Sequence, residues 1–382
     1  MLTDLPQHAI DSLHKQLGEI GHAKAWVLVE EKDDLVEKFG QSVFNRARDV
    51  IDALSQQMGL SAKIYVGLII DEQRDFQACA ARLSKDEYCI LIWVAAANST
   101  LVSISRLLNT TVSAELFSIG IPVQHERAAL EESDTFKAYR ELSLLSVLDL
   151  GENLNDFRNR LALSALEWLV LHEFGHIVNG HLALGETISG MTYILENDPK
   201  NDRDKHITDQ ALEFDADCFA NQFALQRALG RPLPGETADA ADKGELIGRR
   251  FKSYVFATMA IIRGFDRERF DVETLFDSDH PPGGVRMGYL LDQIAAFESG
   301  GNIDFSGIDV KDIAAKTAIS VERAIWEATG IHGNGGNLWT AMNVSEEQFR
   351  LPVLSRWAKI HPALNAAKLN PFKLAEPQYE PA

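Results

Sequence analysis

Cysteine is scarce in this chain: Cys79, Cys89 and Cys218 are the only three in 382 residues. They form no C-x-x-C pair and leave an odd thiol, which argues against a disulfide-built secreted fold and for a reducing compartment. Positive charge is short as well, with 37 Lys and Arg against 56 Asp and Glu and a formal net charge of −19. Nucleic acid or an anionic membrane surface is therefore not the expected partner. The longest apolar runs, near 88–97 and 254–262, fall short of the roughly 20 residues a bilayer requires. The opening residues, MLTDLPQHAIDSLHKQLGEI, are mixed and polar, without a charged-then-apolar targeting pattern. No internal repeat, P-loop or dinucleotide fingerprint is found. These absences predict a soluble, cytoplasmic protein with no membrane span. The length suits one large domain or two modest ones.

What is present centres on residues 161–182, LALSALEWLVLHEFGHIVNGHL. Apolar residues occur on nearly every side, from Leu161 through Trp168 and Phe174 to Val178, as in a buried helix that Gly180 then ends. Within it stand His172, Glu173 and His176. Residues four apart share a helical face, so the two imidazoles can aim at one point, with Glu173 one step round. That is the arrangement of H-E-x-x-H, two zinc ligands and a general base on one rigid element. Unpaired polar groups would be costly in so apolar a helix, which favours the metal reading over two ordinary core histidines.

Downstream, ALEFDADCFANQFALQRAL (211–229) reads as a helix capped near Thr208 and Asp209 and stopped by Gly230 with Pro232 beyond. Glu213 and Asp217 lie four apart on it, with no Lys or Arg at three or four positions to relieve their repulsion. A cation shared with the histidines would relieve it. Glu213 is then the third ligand, and Asp217 accepts a hydrogen bond from the far nitrogen of a ligating histidine. Cys218 is expected to pack. His181 falls out of register for a third histidine ligand and is expected at the surface or as a cap.

Three ordered motifs, HEFGHIVNGH, ALEFDADCFA and HPPGGVRMGYL (280–290), together resemble the gluzincin peptidases. The likeness extends to soluble relatives of the CAAX-prenyl-endopeptidase clan and to Lit-type phage-exclusion peptidases, over roughly residues 85–295. The resemblance implies one zinc per chain on His172, His176 and Glu213, Glu173 as base, and Asp217 outside the metal. It also implies that His280 and Arg286 face the cleft. It departs from the membrane members in lacking their helices and in carrying Gly283-Gly284 inside the third motif. Independently, Pro281 and Pro282 stiffen the approach to a helix, where His280 could donate to an oxyanion. Arg286 could hold Asp217 or simply sit on a helix face.

The expected fold is α+β and mostly helical: a zincin-like domain with a small sheet beside the metal helix and a helical C-terminal extension. Strands are expected at 62–70 and 87–96, with 25–31 either strand or helix. Helices are expected at 7–20, 41–58, 98–118, 134–149, 249–264, 309–328 and 344–360. GENLND (151–156) should form the turn and cap before the metal helix, 231–247 a linker, and 332–337 a loop. The acidic stretch 185–206 reads as a mobile loop or lid. The expected domains are 1–60, 61–300 and 301–382. The expected activity is a soluble zinc endopeptidase acting on a protein or peptide. Its rivals are a catalytically silent zinc-bearing module and a latent defence-type peptidase.

Overall fold

The computed structural model describes residues 5–11, 35–69, 76–120, 135–189, 193–195, 203–234, 236, 242–266, 272–300, 303–305, 307–331, 338, 341 and 348–377. Its helices are α1 (Leu35–Met58), α2 (Val94–Leu108), α3 (Thr111–Phe117), α4 (Thr135–Ser143), α5 (Glu152–Val178) and α6 (His181–Ser189). They continue with α7 (Arg203–Gly230), α8 (Lys243–Phe265), α9 (Gly283–Gly300), α10 (Val310–Thr329) and α11 (Arg350–Ala367). The strands are β1 (Lys63–Ile69), β2 (Ala78–Ser84), β3 (Glu87–Trp93) and β4 (Tyr193–Leu195), in the order β1-β3-β2-β4. The fold is mostly helical α+β, as the sequence predicts.

β1 and β3 run parallel, and β2 is antiparallel to both β3 and β4. The sheet is buried on both faces. Ile64, Val66, Leu68, Ile90 and Ile92 join the large core that contains α5, while Cys89, Leu91 and Trp93 face a smaller cluster with Leu5 and Ala9. Burial on both sides explains the nearly unbroken apolar run of β3. β2, ACAARLS, was not expected: small Ala and Cys side chains carry no β-branched signal, yet Ala78 through Ala81 are fully buried. The helix expected at 98–118 is two. It begins at Val94, directly after β3, and breaks at Thr110, whose hydroxyl accepts from Ser113 N and caps α3.

The helix that carries HEFGH is longer than expected. GENLND supplies the expected cap, Gly151 at φ +82° in the N-cap position, but its remaining residues are already helix, which runs from Glu152. Length and composition would let α5 cross a membrane, but 89% of its most apolar window is buried inside the protein. Its apolar surface is satisfied by the core. α7 likewise starts early, at Arg203, so Thr208 and Asp209 are helical rather than capping. Thr208 Oγ1 bonds Asp204 O at 3.1 Å, and Lys205 pairs with Asp209 at 2.8 Å, as i,i+4 partners do.

Within the stretch 185–206, helix α6, strand β4 and the start of α7 replace the expected loop where it is described. The stretch 231–247 gives way to α8 at Lys243, and α4 ends at Ser143. Residues 7–11 are helical; 12–20, 25–31, 332–337 and 344–347 lie outside the described residues. One hydrophobic core draws on α1 (Val43, Ile51), α5, α8 (Phe251, Phe256) and α10 (Val321, Ile325). A second cluster packs Trp357 and Leu364 of α11 with Leu212 of α7 and Tyr289 of α9.

Candidate metal centre

Two helices meet closely to form the site. Gly175 of HEFGH faces α7, where a Cβ would lie 3.3 Å from both Ala216 Cα and Phe219 Cβ. The missing side chain lets α5 and α7 approach and brings His172 and His176 against Glu213. A third segment, 275–282, is pinned to α7: Gln210 Nε2 donates to Leu275 O and Ser278 O at 2.8 Å, and His206 Nδ1 lies 3.0 Å from Phe276 O. This holds His280 over the pair of helices.

His172, Glu173, His176 and Glu213 are each no more than 2% exposed. One ligand atom from each of His172, His176 and Glu213 lies within 4.8 Å of the others, so the trio could hold a metal ion. His172 Nε2 stands 3.1 Å from Glu213 Oε2 and 3.1 Å from His176 Nε2, which is 3.2 Å from Glu213 Oε1. Donors on one tetrahedral ion stand roughly 3.3 Å apart, given bond lengths near 2.05 Å. On its other side His172 Nδ1 lies 2.9 Å from Asp217 Oδ1. In a neutral imidazole, donation there leaves Nε2 bare, facing a carboxylate oxygen that can only accept. Two acceptors at that distance repel unless a cation lies between them, so the residues fit a metal.

Electrostatics agree. Burial drives the His176 pKa down to about 4, against the pull of Glu213, so the ring is a neutral donor at neutral pH. Burial alone would raise the Glu213 carboxyl, but His280, His176 and His172 outweigh it and hold it well below the usual range. It is a carboxylate.

Asp217 is held from the far side by Arg286, Nε to Oδ2 at 3.0 Å and Nη2 to Oδ1 at 2.8 Å, a bidentate pair. The guanidinium is sandwiched 5.3 Å from the Trp168 ring and 5.5 Å from Phe265. Trp168 also stacks on His172 and donates to Asn221 Oδ1 at 2.6 Å. His280 Nε2 lies 3.2 Å from Glu213 Oε2, its Nδ1 3.0 Å from Asp279 Oδ1, and its side chain is 11% exposed, more than the other histidines of the site. The structure thus gathers His172, His176, Glu213, Asp217, His280 and Arg286, and Glu173, next to the first histidine in the chain, is buried as well.

Gly283, the first of the Gly283-Gly284 pair, has a local cause. Gly283 N donates to Asp266 Oδ1 at 2.6 Å at the start of α9, and a Cβ there would meet that oxygen at 2.7 Å. His181 is corrected: it is fully buried, neither at the surface nor a cap, with Nδ1 2.8 Å from His176 Nδ1 and Nε2 3.0 Å from Asp215 Oδ2. Sequence reasoning also missed Trp168, Asp215, Asp279 and Asn179. Asp215 sits midway between Glu213 and Asp217, a third acid in E-x-D-x-D that helical spacing alone would place off their face. Cys218 contacts Gln293 Nε2 and takes no part in the trio.

The family model described as Peptidase U49 matches residues 148–302, from the start of α5 to the end of α9. The match supports a peptidase and spans the whole trio together with His280 and Arg286. Searches of curated proteins and of solved structures gave no significant match.

Proposed function

We propose that this protein is a zinc-dependent peptidase that hydrolyses peptide bonds of a protein or peptide substrate in a reducing, cytoplasmic setting. The observation that carries the proposal is the convergence of the buried His172, His176 and Glu213 side chains, within a stretch that matches a peptidase family. The three free thiols agree with the compartment.

His172, His176 and Glu213 would hold the ion, a set that leaves one position open. Bound zinc supplies Lewis acidity toward the scissile carbonyl and a water acidified toward neutral pKa. Glu173 accepts the proton of the attacking water and returns it to the leaving amine, which its place beside His172 on a rigid helix suits. Asp217, clamped by Arg286, keeps the His172 ring aimed inward. His280, oriented by Asp279, stands at the more accessible edge of the site and faces the developing oxyanion.

Metal analysis of the purified chain beside cleavage of an unstructured protein substrate tests this. Wild type should carry about one zinc and cleave, Glu173→Gln should keep the zinc and lose cleavage, and Glu213→Ala should lose the zinc. Cleavage surviving in Glu173→Gln, or zinc retained in Glu213→Ala, would remove the respective assignment.

A further inference from the structure

We propose that Asn370, Asn179, Asp215 and His181 form a hydrogen-bonded relay that fixes His176 as its Nδ1–H tautomer, with Nε2 bare and turned into the metal site. They are positioning residues, and the proposal rests on the metal-site reading above. It also makes the C-terminal segment, outside the matched 148–302, a working part of the site.

The relay is assigned by donor and acceptor bookkeeping from its far end. Backbone N–H groups of Leu369 and Asn370 both donate to Val178 O, at 2.8 and 3.0 Å, and so cap the end of α5. Gly180 permits this approach. Its φ is +87°, and a Cβ would lie 2.9 Å from Lys368 N and 3.0 Å from Ala367 C. With the chain so placed, the Asn370 side-chain amide donates to Asn179 Oδ1, and Asn179 Nδ2 donates to Asp215 Oδ2 at 2.6 Å.

Asp215 as a carboxylate only accepts, so the 3.0 Å contact from His181 Nε2 places a proton on that nitrogen. With that proton committed to Asp215, His181 Nδ1 is assigned as the acceptor, 2.8 Å from His176 Nδ1. One of the two must donate, and the donor is then His176. Its Nε2, 3.2 Å from Glu213 Oε1, is left as a lone pair. The arrangement matches that of His172, whose outer nitrogen faces Asp217 directly; here one more imidazole intervenes before the carboxylate. Asn370, Asn179, Asp215 and His181 are all buried, at 6, 4, 7 and 0% exposure. A buried polar chain of this kind is stable only when every link is satisfied.

The test reads the tautomer directly and needs no metal. The full-length chain, labelled with 15N-histidine and stripped with chelator, is examined at neutral pH by long-range 1H–15N correlation, with His176→Gln to assign the signals. The expected result is a protonated Nδ1 and bare Nε2 at His176, and the reverse at His181. A protonated Nε2 at His176 overturns the relay.

Zinc affinity, measured by competition with a chromophoric chelator, then follows the same chain. Asp215→Ala and His181→Leu should weaken zinc binding about 10- to 100-fold, the range for losing a group that orients a ligand. Asp215→Asn, which keeps an acceptor, should restore it to within a few fold, and Asn370→Ala should give a smaller loss. Unchanged affinity in both Asp215→Ala and His181→Leu also overturns the relay. The two readings separate cleanly. A wild type with the expected tautomer but no zinc refutes the metal site and leaves the relay; a wild type that binds zinc with the opposite tautomer does the reverse.

Discussion

Removing the Arg286 guanidinium offers the sharpest energetic test of how this site is built. Arg286 and Asp217 are each 1% exposed, and the pair is bidentate at 2.8 and 3.0 Å. Arg286→Met keeps most of the stem volume between Trp168 and Phe265 but leaves the Asp217 carboxylate buried with His172 Nδ1 as its remaining partner among the described residues. Breaking a buried pair from one side costs about 3–5 kcal/mol. The lost stacking on the two rings adds about 1 kcal/mol. Against a typical total of about 5–15 kcal/mol, such a variant is severely weakened. Asp217→Asn alone leaves the guanidinium buried opposite a neutral amide and should cost a similar amount. The double variant removes both charges, keeps an acceptor for His172, and should lie within about 2 kcal/mol of wild type. Equilibrium urea unfolding in chelator, with all four chains, gives the coupling energy. We expect more than about 2 kcal/mol of non-additivity. If the single substitutions add to within about 0.5 kcal/mol, or Arg286→Met is neutral, the pair does not hold the site in this way.

Three further outcomes are expected. Gly180→Ala should cost about 2–4 kcal/mol, combining a left-handed backbone with a clash against Lys368 and Ala367, and an unfolding midpoint equal to wild type would contradict the docking of the C-terminal segment. Gly283→Ala should displace Asp266 and remove the cap of α9, costing about 1–2 kcal/mol; unchanged thermal stability would dismiss that cap. Burial raises the Glu322 carboxyl, more than its Arg263 partner at 3.2 Å lowers it. The folded chain therefore holds a proton that the unfolded chain has already released. Stability should fall as pH rises from the unfolded carboxyl value through the raised folded one. Glu322→Gln should flatten that part of the stability–pH curve, and an unaltered slope would refute the attribution.

Much of the site was legible because it lies on two helices. The spacing of His172 and His176, and of Glu213 and Asp217, fixes which groups share a face before any tertiary contact forms. Like-charge repulsion without a local cation then points to a shared ion. The ends of these helices were less legible. Gly151 is the expected cap, but the residues after it are helix rather than turn, and the first turns of α7 are held by Lys205–Asp209 and by Arg356, whose Nη1 donates to Thr208 Oγ1 at 2.6 Å. Strand β2 was invisible because Ala and Cys acquire strand character only between β3 and β4.

The sequence by itself determined the candidate metal trio His172, His176 and Glu213, the candidate base Glu173 and the mostly helical class, since these follow from helical periodicity and from the chemistry of His, Glu and Asp. Only the tertiary structure decided that His181 is buried in the site and that Asp215 turns toward it. It likewise decided that Arg286 chooses Asp217, and that residue 370 reaches the end of the metal helix. Those contacts join positions up to 192 residues apart. No local pattern encodes them, because a buried hydrogen bond is specified by where the packed core leaves a donor facing an acceptor.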